Sequence, residues 1–448
     1  MRQSHFQPGP VKSRQRIANK LKMLKCRPFC PEIASAQSEK RHLTVRHFGY
    51  VIRCLNGRIE SQTGTRTVST SKPRDMRLDT LRGLFLITMA GVHAPTPVSH
   101  ALQDPLGYNG AAEGFIFLSA CLAGIVYGRT YTQADWTVMS RRVWKRTRQI
   151  YVVHLSVLVP IVLIAWGLAN SLPPLANHFH DFLAHPWGSL ALMPLLLHQP
   201  PLFDILPLYV IFLGAMPWLL AIARRYGWGI VLTVSALGWL AAQCKLDARL
   251  VGDPTRLLPL RWGSFDLLAW QFLWVCGLAL GETSLRRPII KPRLRLWLAI
   301  PALTIVLVGL LSRRGFWPQA WWHPDIFLWM DKWTLGPLRL LNFAAWTVFL
   351  LAWNPRPPTR LMAPTALLGR NSLSVFACHL PLVIMVGVIV QQFAPSDAVQ
   401  TALGLLVIVL LFVWAARWEH HKRRRVEANM AAGLPAVKSS SPLTPANA

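Results

Sequence analysis

Acidic residues are scarce in this 448-residue chain: 19 Asp and Glu stand against 48 Lys and Arg, and charged residues make up only 15% of it. So little charge, with 52% hydrophobic residues and a mean hydropathy of +0.33, excludes an ordinary soluble domain. Cysteine is sparse too. The seven, Cys26, Cys30, Cys54, Cys121, Cys244, Cys276 and Cys378, are scattered, and the last four fall in or beside apolar runs, which rules out a disulfide framework. No N-terminal stretch has the apolar core of a secretion signal. Internal duplication is missing as well: neither the string Asp79-Thr80-Leu81-Arg82-Gly83 nor the segment around Glu113 occurs twice.

What the chain does hold is a net charge of +29. Charge alone would suggest nucleic acid, but apolar runs of membrane-spanning length separate the basic clusters, so it reads as membrane topology with no nucleic-acid partner. Twenty tryptophans suit interfacial belts. The runs fall near 79–94, 110–128, 149–169, 204–223, 227–243, 264–281, 296–312, 338–353, 370–391 and 397–416, which predicts an all-α bundle of about ten spans. The piece 187–199 is short and broken by Pro194, and reads as re-entrant or interfacial. From a cytoplasmic N-terminus, the inner connections would hold Arg141, Arg142, Lys145, Arg146 and Arg148, then Arg224 and Arg225, then the basic residues from Arg286 to Arg295, then Arg356 and Arg360. The connections 95–109, 170–186 and 392–396 carry no Lys or Arg. This positive-inside pattern predicts both termini inside.

Residues 1–75 are polar and basic, and read either as a disordered cytoplasmic arm or as an extension ahead of a start at Met76. Within them Cys26, Cys30, His42 and His47 approach zinc-finger spacing, but Pro31 to Arg41 lacks the aromatic and the leucine of a finger core, so no metal site is expected. Residues 76–420 form the membrane domain, and 421–448 a tail that is basic and then rich in Ser and Pro.

Chemistry concentrates in the spans. Arg82 and His93 are almost three whole turns apart, hence on one helical face and about 16 Å apart along the axis. That face should point into the bundle, because charged groups facing lipid are costly. His93 lies about 21 Å along the helix from Asp79, in the outer half of the bilayer. Counting residues along the other spans brings Glu113, Gln271 and His379 to the middle-to-outer region as well. A histidine titrating near neutrality beside a carboxylate is what general-base catalysis needs. The rival is interhelical hydrogen bonding that only holds the bundle together.

These residues carry a resemblance. Arg77-x-Asp79-x-x-Arg82-Gly83, the spacing from Arg82 to His93, and the run from Leu368 to His379 resemble the integral-membrane acyltransferase-3 superfamily. The segments Ala112–Phe115, Asp204–Tyr209, Ala269–Gln271 and Leu338–Phe343 are similar to its OpgC branch, whose named members succinylate osmoregulated periplasmic glucans. The resemblance implies a multi-pass protein of the bacterial inner membrane that takes an acyl group from cytoplasmic acyl-CoA. It passes that group to a hydroxyl of a periplasmic glucan or other glycan. His93 would be the general base, Arg82 its motif partner and Glu113 its orienter, with Asp79, Gln271 and His379 lining the site. Arg77, Arg141, Arg142, Arg146 and Arg148 would hold the donor's phosphates. No bound cofactor is expected, acyl-CoA being a substrate. Two other classes remain open on sequence, a solute transporter and a non-catalytic membrane partner of glucan synthesis, as do the choice of succinyl or acetyl and the oligomeric state.

Overall fold

The computed structural model describes residues 75–246, 263–286, 295–316, 326–355 and 357–432. The chain divides into two units, residues 1–72 and 73–448. The arm, with Cys26, Cys30, His42 and His47, lies outside the described residues, as do Arg356 and the cluster Arg287, Lys291 and Arg293.

Among the described residues the second unit is all-helical apart from one isolated bridge between Leu106 and Asn109. In order the helices are α1 (Met76–His93), α2 (Pro97–Leu102), α3 (Ala111–Gln133), α4 (Trp136–Leu168), α5 (Pro173–His178), α6 (His180–Ala184), α7 (Pro186–Leu192) and α8 (Ile205–Tyr226). They continue as α9 (Trp228–Gln243), α10 (Leu267–Thr283), α11 (Arg295–Arg313), α12 (Ile326–Trp329), α13 (Pro337–Trp353), α14 (Thr359–Arg370), α15 (Ser372–Phe393) and α16 (Asp397–Ala431).

Each apolar run coincides with a helix, but the helices differ in standing. Six, α3, α4, α8, α11, α15 and α16, are long and apolar enough to cross a membrane. The apolar helices α9, α10 and α13 are shorter, at 16 or 17 residues. Helix α1 has 18 residues but carries Arg77, Asp79 and Arg82. By length and composition alone, six helices among the described residues qualify as crossings.

Local chemistry explains several boundaries. The Asp75 carboxylate accepts the Arg77 amide at 3.0 Å and caps α1, so the helical unit begins one residue before Met76. Asp135 caps α4 through Val138 at 2.7 Å, and Asp266 caps α10 through Ala269 at 2.8 Å. Where one run was expected from residue 370 onward, the chain breaks at Asn371 and places the separate helix α14 before α15. Helix α14 lies along α1 at backbone distance. A Cβ on Gly369 would sit 1.8 Å from the Asp79 carbonyl oxygen, and one on Gly83 would sit 1.9 Å from that of Thr365. Only glycine permits this approach. Helix α16 continues through the basic start of the tail to Ala431, and Glu419 ties it to Asn371 at 3.1 Å and to Lys422 at 2.8 Å.

Large apolar side chains such as Ile164, Val234, Trp297 and Leu405 are exposed on the outside of the bundle, whereas Trp270, Trp274, Phe376 and Met216 fill the core. In the segment 187–199 the seven-residue α7 ends at Leu192, and Ser189, Met193, His198 and Gln199 are buried.

Candidate active site

His93, the last residue of α1, and His379, in the middle of α15, meet ring to ring. Nδ1 of His93 lies 3.3 Å from Nε2 of His379, and the rings stack with centroids 5.5 Å apart. His379 is 1% exposed, and its Nδ1 lies 2.5 Å from the Phe376 carbonyl oxygen. His93 is only partly buried. The pair therefore has a fully buried member and a partly buried one. Helices α1 and α15 run in the same direction, since Arg82 meets Ser372 and the later His93 meets the later His379.

Beneath the pair lies a cavity of about 30 Å³, room for a water molecule. Two cations, Arg82 and Arg146, line it together with Tyr209, Ser372, Phe115 and Phe376, and no carboxylate is among its lining residues. Arg82 donates a short hydrogen bond to the Ser372 hydroxyl and reaches over the Phe115 ring, 5.8 Å from its centroid. The Phe376 ring is 4.6 Å from that of His379, so the cavity is linked to the histidine pair through one aromatic side chain. Arg146 enters from α4, and its guanidinium also donates to Gln149 at 2.8 Å.

Glu113 does not reach His93. Its Oε1 accepts from Arg339 at 2.5 Å, and its Oε2 accepts the Gly110 amide at 3.1 Å, closing the N-terminus of α3. The residue count that put the two at similar depth assumed that α3 starts at the membrane face. Instead the loop before it dips into the bundle, with Asn109 fully buried, and Gly114 packs on Phe85, two turns before His93 on α1. Arg339 is 5% exposed and also bonds the Met330 carbonyl at 3.2 Å. Asn342 donates to Asn109 at 2.6 Å and to the Leu106 carbonyl at 2.8 Å, which locks α13 to the loop. Arg339 was not singled out from the sequence, although the signal was there: an arginine two residues into an apolar helix needs a buried acid.

Gln271 is likewise engaged elsewhere. It accepts from the Ser235 hydroxyl at 2.6 Å and donates to the Ser235 carbonyl at 2.7 Å, so it clamps α10 to α9 as interhelical hydrogen bonding would. Asp79 is buried where α1 meets α14, away from the pair by most of the length of α1. Arg77 pairs with Asp75 at 2.7 Å and donates to Asn354 at 2.6 Å, which places it at the foot of the bundle. Of the loop cations, Arg141, Arg142 and Arg148 are exposed near the start of α4, Arg142 within 3.4 Å of Thr130, and Arg146 alone lines the cavity. A larger cavity of about 570 Å³ opens at the same end among Arg129, Arg224, Glu282 and Arg286.

Sequence reasoning also passed over His154. It is fully buried in mid α4, beside buried Gln199 of the infolded segment and 6.5 Å from the Phe203 ring. An imidazole within the apolar run 149–169 was the available signal.

Residues 74–423 match the family model described as OpgC protein. The chain belongs to the OpgC family. The match takes in both histidines, both cavity arginines and the Glu113–Arg339 pair, and leaves the arm and the end of the tail outside. No curated protein and no solved structure matches the chain.

Proposed function

We propose that this OpgC family member is an integral-membrane O-acyltransferase. It moves a succinyl or acetyl group from cytoplasmic acyl-CoA to a hydroxyl of a periplasmic glucan or another surface glycan. Family membership supports a glucan-modifying membrane enzyme. The observation that carries the chemistry is the continuous line from two arginines through Phe376 to a histidine pair with one partly buried ring.

In this reading the chain crosses the bacterial inner membrane ten times with both ends in the cytoplasm. The short apolar helices α9, α10 and α13 cross where the bilayer adapts to them. Helix α1 crosses with its charged residues turned into the bundle. Arg82 and Arg146 draw the donor's phosphates toward the bundle, with the loop cations at its mouth. The distance of about 16 Å from Arg82 to His93 keeps the two roles apart: one group holds charge and the other moves a proton.

His93 takes the proton of the glycan hydroxyl as that oxygen attacks the thioester carbonyl carbon. The tetrahedral adduct then collapses, the carbon–sulfur bond breaks, and the departing thiolate takes the proton back from His93. The products are the glycan ester and free CoA, and the enzyme is unchanged.

Mass spectrometry of periplasmic and surface glycans from cells with and without the protein tests this reading. Ester substituents present only with the protein support it, and their mass tells succinyl from acetyl. Identical glycans in both cells refute it. Acyl transfer by purified protein in lipid separates the enzyme from a non-catalytic partner.

A further inference from the structure

A base is useful only if its reactive nitrogen is bare, and an imidazole has two. We propose that His379, not Glu113, is the positioning residue that keeps the proton of His93 on Nδ1 and leaves Nε2 as the reacting nitrogen; this rests on the acyl-transfer reading above.

The argument follows the hydrogen-bond chain outward from its fixed end. A carbonyl oxygen can only accept, so Nδ1 of His379, 2.5 Å from the Phe376 oxygen, carries a hydrogen. In a neutral ring Nε2 is then a lone-pair acceptor. That nitrogen faces Nδ1 of His93 at 3.3 Å, so Nδ1 of His93 must donate. A neutral His93 is left with a bare Nε2, on the ring that is only partly buried. A charged His379 would reverse the chain, but a buried cation in apolar surroundings needs a nearby acid. The contacts of His379 are instead the Phe376 carbonyl, the Phe376 ring and the second imidazole. Glu113 does not serve, because its oxygens bond Arg339 and the Gly110 amide while the ring nitrogen of His93 faces His379.

The arrangement follows the logic of a nucleophile–base–orienter chain with a neutral imidazole and a carbonyl in place of a carboxylate. When Nε2 of His93 takes the hydroxyl proton, the new positive charge is met by the His379 lone pair, whose ring is polarised by the Phe376 carbonyl. When the thiolate leaves and removes that proton, the chain returns to its resting tautomers. Nothing else is consumed.

The test uses the full-length protein in lipid nanodiscs. Nitrogen-15 NMR of histidine-labelled protein, with the His93 signals identified by their loss in His93→Gln, should show Nδ1 protonated and Nε2 bare. His379→Phe keeps a ring of similar size but has no nitrogen. It should move His93 toward the other tautomer and lower kcat about 100-fold, the low end of what a positioned base supplies, with KM for the acyl donor unchanged. His379→Gln, whose amide can both accept from His93 and donate to the carbonyl, should recover most of that loss and restore the tautomer. Nε2-protonated His93 in the wild type, or wild-type kcat in His379→Phe, overturns the proposal. Full activity in His93→Gln instead overturns the base assignment itself, whatever tautomer is seen.

Discussion

At the scale of single residues, His93 and Glu113 show that partnership cannot be read from residue spacing: His93 meets His379, and Glu113 meets Arg339. Both are ionisable groups within apolar runs, and the cost of burying such groups marks them from sequence alone. Which group each one meets depends on helix rotation and starting depth, and neither is written in residue spacing. His93→Ala should abolish transfer, a loss of about two to four orders of magnitude, while protein level and membrane insertion persist. Wild-type turnover by inserted His93→Ala would mean that the histidine pair only packs the bundle. Glu113 and Arg339 make a different case, since losing Arg339 leaves the buried Glu113 without its cation, and losing Glu113 leaves Arg339 only a longer, 3.6 Å contact to Asp104. Glu113→Gln and Arg339→Met should each destabilise the protein by about 3–5 kcal/mol, and the double variant by much less than the sum. Thermal unfolding in detergent measures the three values. Strict additivity would show that the 2.5 Å contact does not hold in solution.

The element scale is governed by how closely helices approach. Helices α1 and α14 meet at glycines, so the string Arg82-Gly83 and the string Gly369-Arg370 are two halves of one contact. Gly369→Ala would force its Cβ against the Asp79 carbonyl and should cost about 1–3 kcal/mol. Because α1 carries both Arg82 and His93, the displacement should also reduce transfer. Gly229→Ala on α9, where a Cβ meets nothing within 4 Å, is the control and should leave stability unchanged. Equal melting temperatures for both variants would mean that α14 does not seat on α1 as described. Helix α14 itself escaped the sequence reading because it is short and amphipathic, and its apolar side is continuous with the run that follows Asn371.

For the whole molecule, the distribution of basic residues sets the expected orientation. Single cysteines introduced near Asn177 and Ala394 should react with an impermeant thiol reagent from outside, and cysteines near Arg142 and Arg425 should not. Reversal at any two positions would refute the ten-crossing arrangement and put the histidine pair on the wrong side of the membrane for its acceptor. The sequence by itself determined the helical class, the positions of the apolar helices, the basic clusters and the presence of two histidines in apolar runs. These depend on composition, period and the cost of burying charge, all properties of one segment at a time. Only the tertiary structure decided that His93 meets His379, that Glu113 belongs to Arg339, that Gln271 serves as a clamp and that Arg146 alone of its loop lines the cavity. Those are relations between segments. They follow from the close glycine contacts and from a loop that starts α3 inside the bundle, where counting residues from a membrane face no longer measures depth.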